Sequence, residues 1–562
     1  MTTSSIPARQ RKQRIGLWAA ALLTALVGFV NVLSAVTPAL PERVIWIETF
    51  LPFELRASGR LFSAVTGFMV LSLAGNLLRR KRVAWLLMVG LLTVSIASHL
   101  VKGLDFEEAF LSGLLLVQLL ATRHLYTAQS DRPSITQGVR VLMGSLLFTL
   151  AYGTAGFFLL DRQYKQTFDL SQAIVQTLAL FFTDDNAGLQ PTTALGRFFI
   201  NSVYIIGALT LLYALWMLLR PVLYRETASA ADRQRADAIV TQHGRSSLAR
   251  FALLPDKSYF FSPSGQSVVA YVPKGRGAIA LGDPIGPMND RREAIASFQQ
   301  FCTRNDWYPA FYQTLPDELE PLKAQGFQVA KIGEEAIVDL KKFTLEGKAG
   351  KKLRASVNKM NKQGTVVKFY QPPLSAQLLK TLREISDEWL SHMQGSEKQF
   401  SLGWFDDDYI GSCEVATVET AAGETLAFAN IIPEYQLNDI TIDLMRHRAN
   451  IERGTMDVLF VSMFQHFKER EYDGFNLGLS ALSGIGEGAD APKLEKSLKY
   501  LAEHLERFYS FQGLHEYKDK FHPRWEPRYL VYPGLVSLPA VVTALVRADS
   551  GDRLLDYFKP GG

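Results

Sequence analysis

The chain has 562 residues, with 60 Lys+Arg, 55 Asp+Glu, a formal net charge of +5 and 48% hydrophobic residues. It is too long for one compact domain and too apolar for a disordered or collagen-like chain. Its two cysteines, Cys302 and Cys413, exclude a disulfide-rich scaffold and match no zinc spacing. The charge is uneven: residues 1–225 hold 20 Lys+Arg and 11 Asp+Glu, which leaves 40 and 44 for residues 226–562. The basic excess belongs to the more apolar part, where it orients membrane segments rather than marking a nucleic-acid binder.

A basic stretch, Arg9–Arg14, precedes an apolar run from Ile15 to Thr37 that is too long for the core of a cleaved signal peptide. Further runs cover Leu61–Leu78, Val83–Leu100, Phe106–Ala121, Val139–Leu160 and Phe198–Leu219. A bilayer crossing takes about 20 residues, so the pattern predicts a helical membrane domain over 1–223 with six transmembrane helices. Leu170–Phe182 is too short to cross and suits a re-entrant or interfacial helix. Six crossings put the N-terminus and the second half on the same side. That side carries 13 of the flanking basic residues against 7 on the other, which makes it cytoplasmic.

A polar linker, 224–244, follows, in the form of a surface helix. Strand-like runs then alternate with helical periodicity. Strands are predicted at Ser267–Val272, Ala278–Leu281, Trp307–Gln313 and Glu335–Leu340, with helices at Asn289–Asn305 and Pro316–Gln325, which together make a first unit over 245–345. The order repeats over 346–540: helix Leu374–Met393, strands Glu424–Ile432 and Asp439–Met445, helix Thr455–Glu469, strand Phe475–Leu479 and helix Lys493–Phe508. Residues 541–562 read as a tail. The fold class is therefore an α-helical membrane domain plus a cytoplasmic α/β domain of two tandem acetyltransferase-like (GNAT-like) units. The turn Arg448–Gly454 stands where such a fold would hold the pyrophosphate of coenzyme A. It has one glycine and no glycine-rich cradle, so a coenzyme A donor does not fit it well. Lys341–Lys368 contains nine Lys+Arg and a single acid, with Lys351, Arg354 and Lys359 at its centre. A solvated helix face and a binder of nucleic-acid or lipid phosphates both account for it.

Four further groups of residues carry a resemblance: Gly282-Asp-Pro-Ile-Gly-Pro287, Asp443-Leu-Met-Arg446-His447, Phe475-Asn-Leu-Gly478, and Phe511–Leu514 with Tyr517–Tyr529. As an ordered set they resemble the phosphatidylglycerol lysyltransferase (multiple peptide resistance factor) family over most of 245–535. The additional N-terminal flippase spans of long members are absent, and Ser480-Ala-Leu-Ser483 departs from that family's Ala-Pro-Leu-Ser. The resemblance implies a membrane aminoacyltransferase that moves lysine or alanine from aminoacyl-tRNA to the glycerol headgroup of phosphatidylglycerol, at the cytoplasmic face of a bacterial inner membrane. It implies aminoacyl-tRNA, phosphatidylglycerol and the bilayer as partners, and leaves a homo-oligomer and a separate flippase open.

Such a transesterification needs a base, donors for the developing oxyanion and cations for phosphates, and neither a metal nor a cofactor. Asp443, Arg446 and Lys518 are the expected catalytic set, with Asp443 in base work or ammonium recognition and Arg446 on a phosphate or the oxyanion. In strict strand alternation Asp443 and Arg446 would face opposite sides. The segment holding Lys518, Lys520, Arg524 and Arg528 reads as a cationic, aromatic loop suited to an RNA end. Asp283 shapes a Gly-Asp-Pro turn or touches substrate. Asp406–Asp408 either attracts a lysyl ammonium or caps a helix. Glu487, Glu495 and Glu506 are candidate amine ligands by charge that the sequence does not rank, and Glu495 joins the expected substrate set with Lys351, Arg354 and Lys359. The competing readings are an acyl-CoA-dependent membrane acyltransferase and a non-catalytic membrane-anchored RNA- or lipid-binding protein.

Overall fold

A computed structural model describes residues 8–36, 67–218 (with breaks at 68, 72, 79, 104–105, 129–131, 160–163, 165 and 183–187), 228–392 apart from 349, 397–484 and 511–552. Glu487, Glu495, Glu506 and the helix expected over Lys493–Phe508 lie outside the described residues. The chain divides into two compact units, one essentially residues 1–223 and the other 224–562 apart from 303–306.

The first unit is helical. Helices occupy Ala8–Val36, Arg82–Gly103, Phe106–Ala121, Arg132–Leu159, Leu170–Phe182 and Ala194–Leu218, close to the apolar runs that predict them. Leu17, Val27, Leu73, Met88, Leu92, Leu115 and Leu119 pack into one core, and Phe157, Phe168, Leu180 and Phe199 into another. Other large apolar side chains point outward, among them Leu22, Phe29, Phe110, Val117 and Leu147, each at least 60% exposed. Among the described residues no helix is long and apolar enough to cross a membrane, so the six crossings are not seen there.

The second unit is built on one eleven-stranded sheet, in the order β1-β2-β3-β4-β11-β5-β10-β9-β8-β7-β6. The strands are β1 Ser258–Phe261, β2 Val268–Lys274, β3 Gly277–Leu281, β4 Tyr308–Thr314, β5 Gln328–Asp339, β6 Val366–Tyr370, β7 Val415–Glu419, β8 Thr425–Ile432, β9 Asp439–His447, β10 Gly474–Ala481 and β11 Arg524–Tyr532. The sheet contains the expected repeat. β1, β2 and β3 are antiparallel neighbours, and helix Met288–Arg304 then crosses to β4, parallel to β3. Likewise β6 to β9 are antiparallel, and helix Thr455–Glu469 crosses to β10, parallel to β9. That crossover helix carries a broad apolar face, from Val458 to Phe467. With Phe475 and Phe521 it forms an aromatic core over β7–β10 in which Phe460, Phe464 and Phe467 are at most 3% exposed. Burying each Phe is worth about 1.5–3 kcal/mol. The helix begins after Gly454, whose φ of 109° is left-handed and whose Cβ, if present, would lie 2.4 Å from Ser356 Oγ. No other residue fits that turn.

Two expectations need correction. First, the cationic segment near the C-terminus is not a loop. It comprises helix Phe511–Asp519 and strand β11, which runs antiparallel between β4 and β5. β11 therefore lies in the middle of the sheet, between strands assigned to the first unit. Its charges hid it: Arg528 is 3% exposed, inside the protein, and donates to Glu335 on β5, so a residue that looks solvated is a buried ion pair. Second, the expected tail begins within helix Leu538–Asp549, whose Val541, Ala544 and Ala548 pack with Ile279 and Leu281 of β3. The 224–244 segment carries the expected helix, Ala230–His243, capped by Ser229 and burying Ala236, Ile239 and Val240 on one face.

Removing one partner of a buried pair leaves the other charge uncompensated, at about 3–5 kcal/mol. Arg528→Ala is therefore expected to lower the denaturation midpoint sharply, and the double variant Arg528→Leu/Glu335→Leu to recover most of it. Both are read by chemical denaturation of the detergent-solubilised protein.

Candidate functional site

Two parallel strands that stop pairing leave backbone groups to be satisfied by other means. β9 and β10 pair only over Asp439–Thr441 and Gly474–Asn476. Past that point they part, and the candidate residues lie on the two arms.

On the β9 arm the register slips: Ile442 pairs with Ile431, but Met445 pairs with Ala429. Asp443 and Leu444 thus share one opposing residue, Asn430, whose Oδ1 accepts the Leu444 N–H at 2.8 Å. This β-bulge adds one residue and shifts the alternation by one. Asp443 and Arg446, expected on opposite faces, come close enough for the guanidinium charge to act on the carboxylate. Asp443 accepts the Gly403 N–H at 2.9 and 3.1 Å and the Tyr409 hydroxyl at 2.7 Å. Burial pushes it up to about 6, against the pull of Tyr409, Gly403 and Arg446. Arg446 is 2% exposed, donates to Ser386 Oγ and Glu397 Oε1, and lies 5.3 Å over the Trp389 ring. Glu397 in turn accepts the Phe405 N–H at 3.1 Å. One loop, residues 397–405, thereby holds both members of the pair.

Lys257 anchors that loop. Its ammonium is fully buried and donates to Phe400 O at 2.8 Å and Asp256 Oδ1 at 2.7 Å. Burial lowers its pKa, while Asp256 and Asp443 oppose the shift. Sequence reasoning missed Lys257, Glu397, Gly403 and Tyr409, because each is functional only through a partner far away in the chain. A cleft of about 580 Å³ adjoins them, lined by Arg233, Asp237, Arg250, Trp404, Asp408 and Tyr409 among others. Tyr409 links its wall to Asp443. Of the acidic run, Asp406 caps helix Asp407–Gly411 through the Tyr409 N–H, and Asp407 pairs with Arg383 at 2.8 Å.

On the β10 arm Gly478 adopts φ 79° within a second register slip, where Asn476 pairs with Ile337 but Leu479 with Glu335. Lys518, from helix Phe511–Asp519, donates to Gly478 O and Leu479 O, both at 3.0 Å. Burial lowers its pKa to about 8, with Glu335 partly offsetting. Glu335 also accepts the Asn476 amide at 3.1 Å and the Arg528 guanidinium.

The remaining predicted residues are dispersed. Lys520 bonds Asp457 at 2.6 Å and sits 4.0 Å over the Tyr517 ring. Arg524 reaches Glu526 at 2.9 Å and Asp439 at 3.6 Å. Lys359 pairs with Glu452 at 2.6 Å, and Arg354 donates to Leu345 O. Lys351 is exposed at the start of helix Lys351–Lys362, which buries Leu353 and Met360 and leaves most of its cations in solvent. Asp283 lies in the other half of the sheet, at the end of β3, where it accepts the Leu315 N–H at 3.1 Å. Among the described residues no group of His, Cys, Asp and Glu could hold a metal ion.

Comparison with known proteins agrees with this architecture. The profile of the family described as phosphatidylglycerol lysyltransferase, C-terminal, matches residues 237–532. The chain is 28% identical over 508 residues to phosphatidylglycerol lysyltransferase of Bacillus subtilis (strain 168), covering 89% of this chain and 56% of that protein. It is 33% identical over 316 residues to the Staphylococcus epidermidis RP62A protein of the same name, covering 56% and 37%. It thus spans about half, or less, of the length of these relatives. The structure of L-PGS from Bacillus licheniformis, 34% identical, matches with a TM-score of 0.53 over 59% of this chain and 100% of that one. The C-terminal domain of a putative lysylphosphatidylglycerol synthetase from Agrobacterium fabrum, 36% identical, matches with a TM-score of 0.51 over 57% and 98%. The chain belongs to the phosphatidylglycerol lysyltransferase C-terminal family.

Proposed function

We propose that this protein transfers an aminoacyl group, lysyl or alanyl, from aminoacyl-tRNA to the glycerol hydroxyl of phosphatidylglycerol. The observation that carries the reading is the forked arrangement of Asp443, Arg446 and Lys518 within a chain of this family. The acceptor hydroxyl oxygen attacks the aminoacyl ester carbonyl as its proton passes to Asp443. The new C–O bond forms, the bond to the tRNA ribose oxygen breaks, and the proton ends on that ribose hydroxyl. One ester replaces another, so no further reactant is required. Arg446 is held by Glu397, Ser386 and Trp389 as a fixed positive field beside the base. Lys518, charged below about 8, faces the opposite arm, where it stabilises the developing oxyanion or binds a phosphate. The exposed cations of helix Lys351–Lys362 suit the tRNA backbone.

The first unit is the membrane anchor in this reading, with six spans and the catalytic unit in the cytoplasm of a bacterial cell. The outward-facing Leu22, Phe29, Phe110, Val117 and Leu147 support it, since so many large apolar side chains left exposed on helices suit a lipid surrounding. An added ammonium makes the membrane surface less anionic and weakens attraction of cationic peptides. Resistance to such peptides is the expected cellular consequence.

Lipid mass spectrometry of cells with and without the protein should reveal an aminoacyl-phosphatidylglycerol whose formation in membrane extracts is RNase-sensitive. Its mass identifies the amino acid, and its absence with every charged tRNA would overturn the reading. Asp443 accepts a proton only above about 6 and Lys518 is charged only below about 8. The rate should therefore rise through the first pH and fall through the second. Asp443→Asn should cost about 10²–10⁴-fold in kcat and abolish the acidic limb, and Lys518→Met should abolish the basic one. Lys257→Met should lower kcat while leaving RNA binding unchanged, because it frees the loop that orients Asp443 and Arg446 without touching an RNA-binding cation.

A further inference from the structure

The tip of a turn is ordinarily polar, because it meets water. The turn after β11 is not. It reads Pro533-Gly534-Leu535-Val536-Ser537, with Val536 90% exposed and Leu535 62%. Val542, in the second turn of helix Leu538–Asp549, is 41% exposed. Scattered apolar residues on a surface need no explanation, but this adjacent pair is held outward by bonds. Ser537 donates to Gly534 O through its N–H at 3.0 Å and its hydroxyl at 2.6 Å, and the Leu538 N–H donates to Leu535 O at 3.3 Å. Val541, Ala544 and Ala548 fasten the following helix to β3. The tip is thereby kept away from the core that could have covered it.

Its place in the sheet follows from strand direction. β10 and β11 both run antiparallel to β5, and β9 is parallel to β10. The carboxyl ends of β9, β10 and β11 therefore lie on one edge, and the tip stands on the edge where the Asp443 fork opens. Ala481 of β10 and Arg528 of β11 both pair with Gly333, so they are level, two strand spacings or about 10 Å apart. β11 runs four residues further, to Tyr532, and so carries the tip about 13 Å beyond that level. Cations share the edge. β4 is antiparallel to β11 and parallel to β3, which places the β2–β3 turn there, with Gly277 against Ala540 and Ala544. Lys274 of that turn and Arg547 both pair with Asp552, and Arg276 lies 4.5 Å over the Tyr308 ring.

We propose that the Leu535-Val536 tip inserts into the surface of the bilayer from which the acceptor lipid is drawn, with Lys274, Arg276 and Arg547 beside it over anionic headgroups. The inference rests on the reading of phosphatidylglycerol as acceptor. Apolar side chains of an interfacial segment sink roughly 5–10 Å into the boundary between headgroups and acyl chains. A tip that projects as far as this one then brings the mouth of the fork to within roughly 3–8 Å of the headgroups. The glycerol hydroxyl reaches the fork while its acyl chains stay in the membrane. The cations favour an anionic surface and fall silent at high salt.

The test uses the full chain in phosphatidylglycerol–phosphatidylcholine proteoliposomes, labelled with an environment-sensitive fluorophore at Val536→Cys. Cys302 and Cys413 are buried and do not compete for the label. Met288→Cys is the control, since Met288 is 83% exposed and follows the carboxyl end of β3, on the opposite edge. The label at 536 should shift to the blue and be quenched by spin-labelled lipid, and the label at 288 should be quenched by iodide alone. Replacing both Leu535 and Val536 with Glu should raise the KM for phosphatidylglycerol at least tenfold and leave kcat unchanged. The proposal is overturned if iodide quenches 536 as it quenches 288, or if 536 is shielded from both quenchers, which would mark a protein partner. It is also overturned if the double variant keeps the wild-type KM. Lipid quenching at 536 without any aminoacyl-phosphatidylglycerol would uphold the insertion and sink the transfer reaction instead.

Discussion

Backbone N–H and C=O groups that leave a ladder inside a protein must find other partners. Where β9 and β10 part, side chains with a second task serve as replacement partners. Asn430 takes the Leu444 N–H at the bulge. Thr441 donates to Asn476 O at 2.6 Å and fixes the apex. Lys518 covers the carbonyls of Gly478 and Leu479. The fork thereby brings a carboxylate of raised pKa and a lysine of lowered pKa onto its two arms, both shifted chiefly by burial. A flat, fully paired sheet would have had no reason to bury either group.

The same logic explains why the loop at 397–405 matters. A charge as buried as Arg446 is tolerated only with a counter-charge and hydrogen bonds, and Glu397 and Ser386 supply them. Lys257 is under the same obligation and meets it with Asp256 and Phe400 O. Each buried charge constrains a segment distant in sequence, and together they hold the Gly403 N–H against Asp443. The chemistry of the site and the stability of the loop are one set of bonds.

Much of the second unit was legible because apolar periodicity reports burial directly. Helix Thr455–Glu469 has the predicted bounds, since its Val, Leu and Phe residues recur on a helical face. Strands β3, β4, β8 and β9 fall within a few residues of their predicted ranges. β11 was misread for a reason that is equally physical. A central strand ought to be apolar on both faces, and Arg524-Trp-Glu-Pro-Arg528 is not. Its polarity is neutralised by β5, through Glu335, and nothing local signals that partner. Asp443 and Arg446 could be singled out by type and motif, but the bulge that unites them could not. The added residue is visible only in the register against β8.

The sequence by itself determined the alternation of strand and helix, the repeated crossover unit, the family resemblance and most of the residues that now stand at the fork. These depend on side-chain type and spacing over ten or twenty residues, where propensity and periodicity act. Only the tertiary structure decided that the last strand threads between β4 and β5, that Arg528 is interior, and that Lys257 and the 397–405 loop brace Asp443. Burial of a charged or polar group here depends on partners brought in from 34 to 193 residues away. Its free energy is set by the complete shell, which no local stretch of sequence contains.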